Sequence, residues 1–145
     1  MPVMAETFRG TCFCGSVVFE VAGEPMLQGY CHCDDCRHWS GAPVTCYALW
    51  QSDAVRVTEG ADKVGSYSKS GQAVRKHCSE CGGALMTVVP EGGLTDVYPA
   101  LLSAFRFQPQ AHVHYGLRQF DMPDGLPKFR DMPEEAGGSG EMIED

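Results

Sequence analysis

Eight cysteines punctuate a chain of 145 residues. Seven of them fall into three tight groups: Cys12-x-Cys14, Cys31-x-Cys33-x-x-Cys36 and Cys78-x-x-Cys81. Thiols one or three residues apart on a turn can converge on one tetrahedral ion, with zinc–sulfur bonds of about 2.3 Å. The same spacing suits disulfides poorly, because so small a ring strains the bond. Metal binding is therefore expected ahead of redox dithiol chemistry. A thioredoxin-like reading of Cys78 and Cys81 lacks the βαβ setting it needs, and no familiar iron–sulfur spacing is present, so zinc is the expected metal.

The residues that follow each group divide them. Cys14 precedes Gly15, and Cys81 precedes Gly82 and Gly83. Glycine there lets the backbone turn through positive φ and aim amide N–H groups at thiolate sulfur, the support a closed metal site needs. Cys36 is followed instead by Arg37 and His38, beside a short predicted helix. Positive charge and a helix N-terminus both lower a thiol pKa. Cys12, Cys14, Cys78 and Cys81 thus make a closed structural site, and Cys31, Cys33 and Cys36 an incomplete one with an open fourth position, as in catalytic zinc. Cys46 could close the second site, although its alternation with Val44, Ala48 and Trp50 reads as a core thiol. His32, His38 and His77 are competing ligands. His32 is expected to point away from the metal of its flanking cysteines, and His77 to be structural. His112 and His114 read as two partly exposed strand histidines.

A soft, open three-thiolate site favours another thiolate. A thiol bound there would lose its proton near neutral pH and be held as nucleophile or leaving group. The matching substrates are a small thiol, its thiohemiacetal or its thioether, and the simplest reactions are thiolate addition to an aldehyde and its reversal. Without metal, the same cysteines could bind a thiol as a mixed disulfide. Substrate carboxylates need bases; Arg37 is favoured because it adjoins Cys36, over Lys69, Arg75, Lys76, Arg106 and Arg118.

These residues must be positioned by a mainly β single domain. The length suits one core. Val17, Phe19 and Val21 alternate with Ser16, Val18 and Glu20, and Val44, Cys46, Ala48 and Trp50 share one strand face. Shorter strands are expected at Val55–Val57, Val64–Tyr67, Val74–His77, Leu85–Val89, Asp96–Leu101 and His112–Tyr115. Frequent Gly, Pro, Asp and Ser between them suit antiparallel sheets. One short helix is expected at Asp34–Ser40, capped by Asp34 or Asp35 and stopped by Gly41. The domain is expected over 5–132, followed at 133–145 by an acidic, Gly/Ser-containing tail, mobile in character. The net charge of -8 argues against a nucleic-acid partner, although Glu134, Glu135, Glu141, Glu144 and Asp145 supply much of it. No apolar run is long enough to span a membrane. The first residues show no secretion signal, so the reducing cytoplasm is the expected compartment, where cysteine clusters read as metal or catalytic sites.

The segments GTCFCGSVVFEV, YCHCDDCRHWSGAP, KHCSECGG and FQPQAHVHY, with a later DGLPKF, resemble the glutathione-dependent formaldehyde-activating enzymes, whose domain is shared with centromere protein V. The resemblance runs in order from about Thr7 to Tyr115. It implies a β-tent type fold and two zinc ions per chain: a structural one on Cys12, Cys14, Cys78 and Cys81, and a labile one on Cys31, Cys33 and Cys36, where glutathione engages. It also implies condensation of glutathione with formaldehyde to S-hydroxymethylglutathione, formally a carbon–sulfur lyase reaction. A noncatalytic zinc module, with both sites structural or mediating protein contacts, is the alternative.

Overall fold

A computed structural model describes residues 6–144; the expected domain start at residue 5 and the terminal Asp145 lie outside the described residues. Among these the protein is mainly β, with strands in two sheets and one α-helix. In chain order the elements are β1 (Thr7–Thr11), β2 (Val18–Ala22), β3 (Leu27–Cys31), α1 (Asp34–Ser40), β4 (Thr45–Gln51), β5 (Val55–Glu59), β6 (Val64–Tyr67), β7 (Val74–Cys78), β8 (Ala84–Val89), β9 (Leu94–Val97) and β10 (Ala111–Val113). They divide between two compact units. One is the chain up to Leu27 with Ala48–Phe107; the other is Gln28–Tyr47 with the chain from Gln108 on.

In the first unit, β1, β2 and β5 form an antiparallel sheet that sets Phe8 opposite Val21 and Phe19 opposite Val57. The end of β4 pairs with β9, and β9, β8, β7 and β6 continue as an antiparallel ladder. Period-two alternation fixes which side chains enter the core. Val17, Phe19 and Val21 are fully buried, packed with Phe8, Trp50, Leu85 and Val97. Close approach explains Gly10: a Cβ there would lie 2.3 Å from the tip of the Phe19 ring. Cys12 and Cys78, only 3% and 0% exposed, belong to this same core. The strand expected at Asp96–Leu101 ends at Val97, because Pro99 opens a 3-10 turn over Pro99–Leu101.

In the second unit, β10 runs parallel to β3, with Ala111 opposite Gly29 and Val113 opposite Cys31. This corrects the expectation of purely antiparallel pairing. Neither β1 nor β3 is visible in the hydrophobic pattern, since each is short and interrupted by glycine. Gly29 is required because a Cβ there would sit 2.3 Å from the Ala111 carbonyl oxygen and 2.6 Å from the Tyr47 hydroxyl. The helix spans the expected residues, and Gly41 at φ 72 stops it by donating to the Arg37 carbonyl at 2.8 Å. Its cap is Cys33 rather than Asp34 or Asp35: the Cys33 thiol accepts the Cys36 N–H at 3.2 Å.

The other edge of β10 is held by the chain after Pro127, with His112 N–H to Pro127 O and Phe129 N–H to His112 O, both at 2.9 Å. The acidic C-terminal stretch is tied to this segment instead of hanging free. Arg130 N–H donates to Glu141 O and Ile143 N–H to Lys128 O, both at 2.8 Å. Asp131, just before this stretch, accepts from the backbone and side chain of Ser139 and so holds it in place.

Candidate metal centres

The four-sulfur cluster forms where two tight turns meet. Cys12 and Cys14 follow β1, Cys78 ends β7, and Cys81 lies in the turn after it. All four sulfurs lie within 4.8 Å of one another, with Cys12–Cys14 at 3.7 Å and Cys14–Cys78 at 3.9 Å. A tetrahedron with metal–sulfur bonds of about 2.3 Å has sulfur–sulfur edges of about 3.8 Å. The thiols are therefore at ligand spacing and not at disulfide spacing. The expected glycine geometry is present, with Gly15 at φ 83 and Gly82 at φ 76. Amides converge on sulfur as well: Val17 N–H on Cys12 at 3.3 Å and Gly83 N–H on Cys81 at 3.4 Å.

The electrostatics follow from those contacts. Hydrogen bonds from Ser16 lower the Cys14 thiol to about 6, and the Gly83 amide lowers Cys81. At Cys78 the Cys81 amide favours thiolate, yet burial and the neighbouring Cys12 and Cys81 sulfurs leave it raised to about 11. Four converging thiols, with Cys14 and Cys81 held toward thiolate and donors already aimed at the sulfurs, fit a divalent, thiophilic cation.

The three-sulfur cluster is built by one short run of chain. Cys31 ends β3, Cys33 caps α1, and Cys36 lies in its first turn, so strand end and helix start bring the sulfurs within 4.8 Å of one another. Cys36 and Cys31 are 3.6 Å apart, again a tetrahedral edge. The Cys33 and Cys36 thiols and burial push the Cys31 pKa far up. Three thiolates so close cannot coexist without a cation to offset them, so this donor set also fits a metal ion. Cys46 is half-buried and joins neither cluster; the core-thiol expectation for it is not met.

Arg37 projects from the same helix. Its guanidinium is only 17% exposed and pairs with Asp34 through Nη2, while its buried Nε has no protein hydrogen-bond partner. His38 hydrogen-bonds the Asp34 carbonyl at 2.8 Å, and His77 packs over Gly65, where a Cβ would lie 2.5 Å from the ring. Neither joins a sulfur cluster.

His32 turns away from the sulfurs, as its place between Cys31 and Cys33 suggests. Its ring lies edge to edge with that of His112, centroids 5.1 Å apart, and meets Tyr115 at right angles at 5.0 Å. His112 corrects the sequence reading, being fully buried and not partly exposed. Its Nδ1 is 2.8 Å from His32 Nε2, its Nε2 2.8 Å from Asp124, and Asp124 also binds the buried Lys128 at 2.8 Å. Burial first, then the nearby His112, depresses the His32 pKa to about 4. Burial alone would raise the Asp124 carboxyl, but hydrogen bonds from Lys128 and His112 override it and hold the acid well below the usual range. His114 leaves the strand at φ 54 and caps the 3-10 turn that carries Tyr115. The only sequence signal for the four-residue chain was the pair of histidines in FQPQAHVHY and the DGLPKF segment, each unremarkable alone.

The sequence profile of the glutathione-dependent formaldehyde-activating enzymes matches residues 7–116, which contain all seven clustered cysteines. Among solved structures, a Rhodobacter sphaeroides protein determined as a structural-genomics target aligns with a TM-score of 0.57 at 25% identity, covering 68% of this chain and 90% of its own. No functionally curated protein matches the chain. No helix among the described residues is long and apolar enough to cross a membrane.

Proposed function

The chain belongs to the glutathione-dependent formaldehyde-activating enzyme family, and on that premise we propose that it is a zinc-dependent enzyme of carbon–sulfur lyase type. Its substrate is a small thiol such as glutathione and the aldehyde adduct of that thiol, S-hydroxymethylglutathione. The observation that carries the reading is the contrast between the two clusters: four converging sulfurs with amides aimed at them, against three with no fourth cysteine alongside. In this reading Cys12, Cys14, Cys78 and Cys81 hold a structural zinc. Cys31, Cys33 and Cys36 hold a labile one.

When bound at the second site, zinc supplies a Lewis acid that keeps an incoming thiol ionised near neutral pH. The rest falls to the protein. Cys33 does double duty, since the sulfur that would bind metal also caps α1 and so fixes where Cys36 sits. Arg37 follows Cys36 and keeps a buried, unpaired Nε donor; it orients a substrate carboxylate, the group glutathione carries at both ends. In the forward direction the substrate sulfur bonds to the aldehyde carbon and the thiol proton ends on the former carbonyl oxygen. In reverse the carbon–sulfur bond breaks and the proton returns to sulfur. No oxidant or reductant is needed.

The 5–132 domain acts in the cytoplasm on small molecules, with neither nucleic acid nor membrane as partner, and 133–145 is an appendage to it. The formal charge of -8 supports this, since nucleic-acid surfaces are basic. Titrating glutathione into cobalt-loaded protein tests the proposal. A new sulfur-to-cobalt band from the three-cysteine site is expected, with faster exchange between formaldehyde and S-hydroxymethylglutathione by NMR. If both sites load and neither spectrum nor exchange rate responds, the protein is a noncatalytic zinc module.

A further inference from the structure

His32, His112, Asp124 and Lys128 form a hydrogen-bonded chain whose polarity can be read from one end. Asp124 Oδ1 accepts from Lys128 Nζ at 2.8 Å and from the Leu126 N–H at 3.0 Å, and Oδ2 lies 2.8 Å from His112 Nε2. With two donors on Oδ1, one of them a charged ammonium, the carboxyl is ionised; its Oδ2 can then only accept, so His112 Nε2 must donate. The remaining His112 nitrogen, Nδ1, faces His32 Nε2 at 2.8 Å, and one of the two must be the donor.

Charge decides which. Lys128, 1% exposed, already neutralises Asp124, and Arg118, 4.3 Å over the Tyr115 ring, is paired with Asp121 at 2.7 Å. A third cation on the fully buried His112 would have no counter-charge, and an unpaired buried ion costs several kcal/mol. His112 is therefore neutral, with a bare Nδ1, and His32 donates from Nε2. That leaves His32 Nδ1, the ring nitrogen nearest its own main chain, as a buried lone pair with no protein partner.

The chain has a mechanical consequence. His32 is tied to β10 twice, by its N–H to Val113 O at 3.1 Å and by its ring to His112. Cys31 pairs with Val113 on the same strand. Tyr30 stacks on the His112 ring at 4.8 Å and His32 meets that ring's edge nitrogen at 2.8 Å; strand alternation puts residues 30 and 32 on one face and Cys31 on the other. An apolar filling would pack as well, but it would leave the residue between two candidate ligands held by one bond.

We propose that the Lys128–Asp124–His112–His32 chain, of fixed donor polarity, positions the three-cysteine loop for metal and thiol, His112 and His32 being positioning residues. This rests on the proposed function for its meaning, but its readouts are tautomers and metal affinity. Nitrogen-15 spectra of the wild-type protein should show both imidazoles neutral and protonated at Nε2. His112→Phe keeps an aromatic ring against Tyr30 and Tyr115 but removes both nitrogens; His112→Gln loses the ring and keeps one donor and one acceptor. Cobalt affinity of the three-cysteine site should fall about tenfold or more in His112→Phe and be at least partly restored in His112→Gln. The four-cysteine site, read in the same titration, should stay unchanged. A His32 protonated at Nδ1, a His112→Phe site of wild-type affinity, or a His112→Gln site as weak as His112→Phe overturns the proposal. A wild-type three-cysteine site that takes no metal removes this inference and the proposed function together. A site that loads as described yet ignores glutathione refutes only the function.

Discussion

Replacing Cys33 by serine separates the role of its sulfur in metal binding from its role in the fold. The side chain is half-buried and accepts the Cys36 N–H at 3.2 Å to cap α1. Serine is among the best N-cap residues, so Cys33→Ser keeps that bond and should cost no more than about 0.5 kcal/mol, whereas Cys33→Ala should cost about 0.5–2 kcal/mol. For a chain of this length about 1 kcal/mol shifts the melting temperature by about 2–4 °C. Compared after a weak chelator has emptied the second site, which removes the stabilisation that bound metal itself gives, Cys33→Ser should therefore melt within about 2 °C of wild type and Cys33→Ala several degrees lower. Cys12 is the contrast. It is 3% exposed, packed in the core, and takes the Val17 N–H at 3.3 Å. Structural zinc contributes about 10–16 kcal/mol of apparent binding energy in small domains, comparable with a whole fold's stability of about 5–15 kcal/mol. Cys12→Ser should thus fail to fold, while Cys33→Ser folds and carries one metal fewer. Thermal unfolding by circular dichroism, with metal content of the same samples, is the assay. A Cys33→Ser protein that unfolds as Cys12→Ser does would refute the assignment of the second cluster to chemistry and leave both sites structural.

Other outcomes follow from the same coordinates. Wild-type protein should bind close to two zinc per chain, and a weak chelator should remove one with the circular dichroism spectrum unchanged before a stronger one unfolds the protein; loss of both together would contradict a labile second site. Gly10→Ala forces a Cβ to 2.3 Å from the buried Phe19 ring, an overpacking worth about 1–3 kcal/mol, and should lower the melting temperature by several degrees without changing metal content. The Asp124 carboxyl is depressed in the fold, so its stabilisation is complete above the unfolded value of about 3.9 and is lost as pH falls toward the folded value. The urea midpoints of wild type and Asp124→Asn should accordingly differ at neutral pH and converge on acidification; a gap that stays constant to low pH would show the carboxylate contributes nothing by its charge.

The parts of this protein that were legible in its sequence are those that local chemistry decides. The helix Asp34–Ser40 spans the expected residues and stops at Gly41, although its cap is Cys33, and Gly15 and Gly82 turn through positive φ as their positions after cysteines suggest. The alternation of Val17, Phe19 and Val21 gives the buried face. The same locality made the three-cysteine group readable, since Cys31 to Cys36 is one strand end and one helical turn. Pattern alone missed β1 and β3, because glycines at 10 and 29 serve contacts with Phe19, Tyr47 and Ala111 that are distant in sequence. Tertiary structure alone seats Cys14 against Cys78, 64 positions apart, and hydrogen-bonds His112 to His32, 80 positions apart. Donor types and turn geometry are written residue by residue, and they fix which side chains can hold a metal. Whether a histidine is a solvated ring or a buried link to Asp124 and Lys128 depends on β10 lying parallel beside β3, and long-range strand pairing leaves no mark in the spacing of either strand.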